Sequence, residues 1–332
     1  MPKNNKEITK DQIESAVLFS EISYYEHDSK EFKSLLEAMQ NHSDIGKIKK
    51  AVPFRKTKSS NSNELAGFVF LTEENKLIIA YHGTSNLEEV KSDLYAVPTE
   101  FSLPRGGVMM AHAGMYDQFL QSNEDRINVM NKVEEGEKVK SRSYTGHSLG
   151  GALASFSAVY DKDKDSNIEI SVITFGSPRP WHGESAKQYV YSGLSKHTVH
   201  IQQEYDPVPN LPLKPMGYKH VGHVIKLQVD EPKLSVHTYD NYKDIAYGSK
   251  IKGSLGNTMQ NHVAGEFGVE SYKKTVMNID PVFLSAIMRK STPLSLAAMA
   301  LQVAVKIKNN NDKGGYKINP KLIIPVGGHL KF

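Results

Sequence analysis

The densest chemistry in the chain lies in Tyr144-Thr145-Gly146-His147-Ser148-Leu149-Gly150-Gly151-Ala152-Leu153-Ala154. A serine with a glycine two residues to either side has the spacing of a nucleophile held on a sharp strand-to-helix turn. Strand and helix approach closely there, so the neighbours must be small, and Gly151, Ala152 and Ala154 extend that requirement into the helix. Ser148 would stand at a helix N-terminus, whose dipole favours developing negative charge. At an average glycine usage of ~7%, the bare motif arises by chance in roughly one chain in seven of this length. Context decides: this one lies between a candidate strand and a small-residue helix. A serine hydroxyl is a poor nucleophile until a base takes its proton and a carboxylate orients the base. The chemistry such a set supports is acyl transfer.

On a turn of this type the carboxylate and then the base follow the serine in chain order. Asp206 stands in Gln203-Glu204-Tyr205-Asp206-Pro207-Val208-Pro209-Asn210-Leu211-Pro212, directly after a probable strand. The prolines stiffen a loop at the carboxyl end of that strand, where sites in open α/β sheets gather. A turn-forming aspartate before proline is the plainer alternative. Asp161, Asp163 and Asp165 are poor rivals, because Asp161 to Ser166 reads as a solvated connection. For the base, His220, His223, His237, His262 and His329 all follow Asp206. His220 and His223 bracket the start of a strand and suit local structure. His262 ends the loop Gly256 to His262, before a helix-like stretch, and suits a base reaching across to Ser148; His220 is the runner-up. An oxyanion site needs the backbone N–H after the nucleophile, from Leu149, and a second from a turn after an earlier strand. Thr84, in Tyr81-His82-Gly83-Thr84-Ser85, fits that second place, with an ordinary Gly-Thr turn as the alternative.

The elements that must position these groups read as follows. Residues from about Thr9 to Gln40 have helical spacing, with Ile13, Val17, Phe19, Ile22, Leu35, Leu36 and Met39 on the core side. Lys47 to Lys58 carries Lys47, Lys49, Lys50, Arg55, Lys56 and Lys58 with no acid; it reads as a solvated linker, with an anionic lipid surface as the alternative. Leu65 to Leu71 and Leu77 to Tyr81 read as a strand hairpin. Ser85 to Ala113 has no clean period, and a loop of that length is usually functional. A helix over Met115 to about Lys132 precedes a strand into Thr145. A helix from Ser148 to Tyr160 and a strand from Ile168 to Phe175 follow. Then come a helix near Glu184 to Leu194 and strands near Thr198 to Gln202 and Val221 to Val229. This β-α-β-α-β order predicts an α/β fold, a mainly parallel central sheet with helices on both faces.

Composition excludes several classes. The 332 residues are 39% apolar and 23% charged, with a net charge of +4. That is ordinary globular usage, and the scattered lysines give no nucleic-acid footprint. Without cysteine there is neither a disulfide nor a thiolate metal site. His197-x-x-His200 and His220-x-x-His223 lack a third ligand, so catalysis without metal or cofactor is expected. The longest apolar stretch, Leu294 to Val305, falls short of the about 20 residues that cross a bilayer. Met1-Pro2-Lys3-Asn4-Asn5-Lys6-Glu7 is not followed by an apolar signal core. The expectation is a cytoplasmic protein, or export without a classical signal peptide.

Taken in order, these blocks resemble the class 3 lipase family, the fungal triacylglycerol lipases and their relatives. The matches include His82-Gly83-Thr84, Ala111-His112-Ala113-Gly114-Met115, the Ser148 block and Thr174-Phe175-Gly176-Ser177-Pro178-Arg179-Pro180. Asp206 to Pro212, Gly217-Tyr218-Lys219-His220-Val221-Gly222 and His262 complete them. The resemblance implies an α/β-hydrolase fold, a Ser148–Asp206–His262 triad, and Thr84 with Leu149 as the oxyanion hole. It places a lid at about residues 86–111, with Leu94, Phe101 and Met109 as substrate or lid residues. It implies a lipid ester substrate met at a membrane or micelle surface, so that peripheral membrane contact follows. The hydrolase domain would span 1–280, with 281–332 as an extension. The family usually has Arg where His82 stands, and an apolar strand where Ser141-Arg142-Ser143-Tyr144 is polar. Two other readings stand beside this one. They are a catalytically silent lipid-binding protein of the same fold, and a carbohydrate-ester or thioester hydrolase.

Overall fold

The computed structural model describes residues 8, 10–40, 45, 47–57, 63–83, 97–203, 208–227, 233–235 and 266–268. Helices α1 (Lys10–Ile22) and α2 (Lys30–Gln40) come first, followed by strands β1 (Ile48–Arg55), β2 (Leu65–Thr72) and β3 (Lys76–Tyr81). The hairpin β4 (Pro98–Ser102) and β5 (Val108–His112) leads into the long α3 (Ala113–Glu134). Next are β6 (Ser141–His147), α4 (Leu149–Lys164), β7 (Glu169–Phe175), β8 (Trp181–His182) and α5 (Ser185–Tyr191). Strands β9 (Thr198–Gln203), β10 (Tyr218–Lys219), β11 (His223–Leu227), β12 (Lys233–Ser235) and β13 (Glu266–Gly268) follow.

The central sheet runs β1-β2-β3-β6-β7-β9-β11. Its first three strands are antiparallel neighbours, while β3, β6, β7, β9 and β11 run parallel. Strands covered on both faces read as unbroken apolar runs, and β2, Leu65-Ala66-Gly67-Phe68-Val69-Phe70-Leu71-Thr72, is buried along its whole length. Its alternate residues serve two separate cores. Val69 and Leu71, with Leu77 and Ile79, belong to the core under α3 and α4. Phe68 and Phe70 turn the other way, to Phe19, Ile22, Phe32, Leu35 and Met39 of α1 and α2. Phe32 stacks on Phe68 at 4.8 Å, and each such ring contributes about 1.5–3 kcal/mol by burial. This is the α/β-hydrolase arrangement that the sequence leads one to expect. A smaller antiparallel sheet, β10-β8-β5-β4, lies beside the central one.

Four local expectations are corrected. Lys47 to Lys58 is not a linker: most of it is β1, paired along β2. Its cations are matched by acids from elsewhere in the chain, Lys49 and Lys50 by Glu137, Arg55 by Glu26 and Lys56 by Glu64. That pairing explains the charge run and leaves those four cations engaged with protein rather than facing a lipid surface.

The polar strand β6 is central, between β3 and β7, and each polar group has a partner. Arg142 donates to Glu134 at 2.9 and 3.0 Å, and Ser143 meets Ser171 at 2.9 Å. The Tyr144 hydroxyl bonds to Asp161. Asp161 is itself the third correction. It is fully buried on the last turn of α4 and forms an ion pair with the equally buried Arg126 of α3 at 2.6 Å. The charge run Asp161 to Asp165 looked like solvent exposure because the partner of its first residue lies 35 residues earlier.

Fourth, the expected lid is an ordered hairpin from Pro98 onward, where β4 pairs residue by residue with β5. Phe101 and Met109 face each other across it and are buried, at 0% and 3% exposure, rather than offered on a lid surface. Phe101 packs on Phe156, Trp181 and Tyr116 at 5.4, 5.3 and 5.0 Å. Strand alternation turns both side chains inward. Leu94, Thr84, Asp206, His262 and the 281–332 extension lie outside the described residues.

Candidate active site

Ser148 sits where β6 ends and α4 begins, with φ 56° and ψ −130°. Few non-glycine residues adopt that backbone, and holding it costs on the order of 1–3 kcal/mol. Its amide donates to Phe175 O at 2.9 Å, and its carbonyl accepts from Gly151 at 3.0 Å. The turn is thus fixed from both sides, to the end of β7 and into its own helix. Leu149 opens α4, so its N–H belongs to the first turn, where backbone donors have no partner within the helix.

The glycine spacing has a direct cause. A Cβ on Gly150 would lie 2.6 Å from Tyr81 O and 2.9 Å from His82 O, so the helix could not approach β3. A Cβ on Gly146 would meet the backbone of Gly150 and Gly151, so the strand could not turn. The motif therefore brings together the end of β3, with His82, and the turn after β6. These carry the residues expected to supply both oxyanion donors. His82 is anchored there by its own N–H to Ala66 O at 2.9 Å.

Tyr24, just past α1, packs against the residues on both sides, His82 and Gly83 after β3 and His147 at the end of β6. Its hydroxyl lies 2.9 Å from His147 Nδ1, and its ring lies 4.6 Å from that of His82. The hydroxyl also occupies the place a Cβ on Gly83 would need. Burial lowers the His82 imidazole to about 4, a shift reinforced by Lys56 and opposed by Glu26, so the ring is neutral at physiological pH. Tyr24 was invisible as a site residue in the sequence: it lies in no motif and is 123 residues from its partner.

On the far side, β9 ends at Gln203, and the chain resumes in a short 3₁₀ turn, Val208–Asn210. Arg179, only 5% exposed, donates through Nη1 to the carbonyls of Asn210 and Pro212 and through Nη2 to Asn210 Oδ1. His220, the runner-up base, is turned away from chemistry. Its Nε2 donates to Pro209 O at 2.8 Å, and its ring lies 4.9 Å from that of buried His200. Burial, then the neighbouring His200, push its pKa well below the ordinary value.

Among the described residues, Ser148, Leu149 and Gly83 are thus gathered at the C-terminal ends of β3 and β6. No group of three or more His, Asp or Glu among those residues could hold a metal ion. No helix among them is long and apolar enough to cross a membrane.

Comparison with known proteins agrees with this geometry. Residues 78–216 match the family model "Lipase (class 3)". The secreted mono- and diacylglycerol lipase A of Penicillium cyclopium is 26% identical over 214 residues, which cover 64% of this chain and 68% of that one. Phospholipase A1-II 1 of Oryza sativa subsp. indica is 25% identical over 201 residues, covering 53% of this chain and 50% of the other. In fold, a Rhizomucor miehei lipase propeptide complex superposes with a TM-score of 0.53 at 20% identity, covering 67% of this chain and 69% of that one. A triacylglycerol lipase described as having a serine protease triad gives 0.52 at 19%, with 68% and 83% covered.

The expected cytoplasmic location is corrected by these relatives, since the Penicillium enzyme the chain aligns with is a secreted one, which points to export. Residues 78–216, which include this elbow, thus match the class 3 lipase family, and the fold agrees with that match.

Proposed function

We propose that the protein hydrolyses acyl esters of lipids through Ser148, with His262 as base, Asp206 orienting the imidazole, and Leu149 and Thr84 donating to the oxyanion. The family match over residues 78–216 supports the coarser part, a serine ester hydrolase of the lipase type. The single observation supporting the mechanism is Ser148 itself, at positive φ between β6 and α4 and beside the first free N–H groups of a helix.

In this reading Ser148 Oγ bonds to the ester carbonyl carbon while its proton passes to His262. The carbonyl oxygen takes the negative charge, and backbone donors held in place beforehand stabilise it without reorganising. The C–O bond then breaks, the alcohol leaves with the proton from His262, and an acyl-Ser148 remains. Water, deprotonated by the same imidazole, attacks the acyl carbon and returns the serine. Asp206 holds the imidazole in the tautomer that accepts at the correct nitrogen.

The relatives act on mono- and diacylglycerols and, by name, as phospholipase A1, which makes acylglycerol and glycerophospholipid esters the substrate class to compare. The reading includes action at a lipid surface outside the cell, by one hydrolase domain over residues 1–280.

The test is fluorophosphonate labelling with hydrolysis of a short-chain nitrophenyl ester, wild type against Ser148→Ala. Labelling and turnover in the wild type that vanish with the alanine are expected. A wild type that neither labels nor turns over, in buffer and in detergent, sinks the reading and favours a silent lipid-binding protein. Monoacylglycerol and phosphatidylcholine micelles then divide the two ester classes.

A further inference from the structure

We propose that Ser20 and Thr145 are positioning residues for the nucleophile, holding α1 in register with the end of β6 and so steadying the turn that carries Ser148. The inference rests on the assignment of Ser148 as nucleophile made above. Ser20 Oγ and Thr145 Oγ1 lie 2.7 Å apart, and Thr145 Oγ1 donates to the Ala16 carbonyl at 3.2 Å. Because Thr145 donates to Ala16, the proton between the two hydroxyls comes from Ser20. Both side chains are buried, at 2% and 0% exposure. The layer around them is apolar, with Phe19 and Ile22 of α1 set against Ile173 and Phe175 of β7.

The spacing of these contacts is what fixes a register. Ala16, Ser20 and Tyr24 follow at four-residue steps along α1 and the turn that closes it, where Tyr24 N donates to Glu21 O at 3.0 Å. Residues four apart share one side of a helix, and residues two apart share one face of a strand, as Thr145 and His147 do on β6. Four residues of helix rise about 6 Å, and two residues of strand about 6.6 Å. The two periods match, so α1 and its closing turn meet β6 twice. Ser20 meets Thr145, and Tyr24 meets His147, the residue before Ser148. Apolar packing alone does not fix such a register, because it is non-directional and tolerates a small slide. A buried hydroxyl pair does not tolerate it, since a slide leaves polar groups unmatched in a dry layer. Backbone pairing to β3 and β7 holds β6 within the plane of the sheet. Ser20 holds the same strand from its face, with only Gly146 and His147 between Thr145 and the nucleophile.

Kinetics of the full chain on a soluble nitrophenyl ester test this, with urea denaturation reporting the fold. The double variant Ser20→Ala, Thr145→Val removes both hydroxyls and keeps the shape of the threonine. Replacing both partners of a buried bond by apolar groups of like shape is nearly neutral for stability, so its denaturation midpoint should match the wild type. A misplacement of about 1 Å lowers a rate about 100-fold, and the slide allowed here is a fraction of that. We expect kcat of the double variant to fall about tenfold with KM little changed. Thr145→Ser keeps the hydroxyl and should stay within about threefold of wild-type kcat. A folded double variant with wild-type kcat overturns the proposal, and so does a Thr145→Ser enzyme as slow as the double variant. Should the double variant not fold, Ser20→Ala alone should be about threefold slower than wild type, and wild-type kcat in it is equally decisive against. A wild type without turnover sinks the hydrolase reading and this role with it. An active wild type beside an equally active double variant sinks the role alone.

Discussion

Tyr24 and His147, 123 residues apart, share a hydrogen bond 2.9 Å long between the phenol hydroxyl and Nδ1 of the residue that precedes the nucleophile. It ties the segment after α1 to the turn on which Ser148 is held. Tyr24→Phe removes the hydroxyl and leaves the ring against His82. We expect a stability loss of about 1 kcal/mol, the net worth of one such bond. On a soluble ester kcat should fall about tenfold at constant KM, as for a modest misplacement. Urea denaturation and initial rates measure the two. Unchanged kcat would show that the elbow does not need this anchor.

The backbone of Ser148 makes a second, opposite prediction. With φ at 56° the serine stores strain that glycine does not feel. Ser148→Gly should be inactive and yet more stable than the wild type by about 1 kcal/mol, after glycine's own entropic cost. Ser148→Ala, which keeps the Cβ, should gain nothing. Equal denaturation midpoints for the glycine and alanine variants would contradict the strain.

Acid sensitivity follows from His200. It is buried on β9, with Nδ1 2.6 Å from Thr174 Oγ1, and burial lowers its pKa to about 4, with a backbone bond to Val221 opposing. The unfolded imidazole titrates near 6.5. The folded value being the lower, the unfolded chain takes up its proton first as the pH falls. The contribution is intact above about 6.5 and is lost progressively between 6.5 and about 4, on the order of 3 kcal/mol in all. His220, also lowered, acts in the same direction. Denaturation at a series of pH values measures the slope, and His200→Gln should reduce it by about one proton. An unaltered slope would assign the acid loss elsewhere.

Arg126 and Asp161 form the buried ion pair between α3 and α4. Burial by itself raises the Asp161 carboxyl, but Arg126, through charge and hydrogen bonds, and the Tyr144 hydroxyl hold it below its ordinary value. Removing one partner leaves the other buried and unpaired. Arg126→Leu or Asp161→Leu should therefore each cost about 3–5 kcal/mol, whereas the double leucine variant should cost far less than their sum. Additive losses by equilibrium denaturation would count against the coupling.

Much of this was legible in the sequence, and the parts that were not share a cause. Period and turn signals gave β2, β3, β7, β9 and the helices around Ser148, because each of those segments buries a face that its own residues declare. Strand β6 was hard to read because its polar residues are satisfied by Glu134, Ser171 and Asp161, none of them nearby in the chain. Asp161 and Lys49 were misread for the same reason, their partners being Arg126 and Glu137. The residues of 98–112 show no clean period because prolines and glycines interrupt them, yet Phe101 lies among Tyr116, Phe156 and Trp181. Of the expected site, Ser148 and Leu149 lie among the described residues. Tyr24 joins them as a residue that only three-dimensional contact reveals.

Helix α1 is synthesised before every strand that it covers. Its apolar side, with Ile13, Val17, Phe19 and Ile22, rests against strands that include β7 and β9, and Ser20 reaches Thr145 on β6 at 2.7 Å. Strands β2 and β3 follow soon after, but β6, β7 and β9 exist only when well over a hundred further residues have left the ribosome. Throughout that interval part of the greasy stripe must stay uncovered, the kind of surface chaperones hold and aggregates recruit. In the finished molecule the same order of events runs backward. Removal of α1 would uncover its share of one sheet face and with it the floor beneath Tyr24 and the elbow. Loss of that helix is therefore an attack on the nucleophile, although Ser148 lies more than a hundred residues further along the chain.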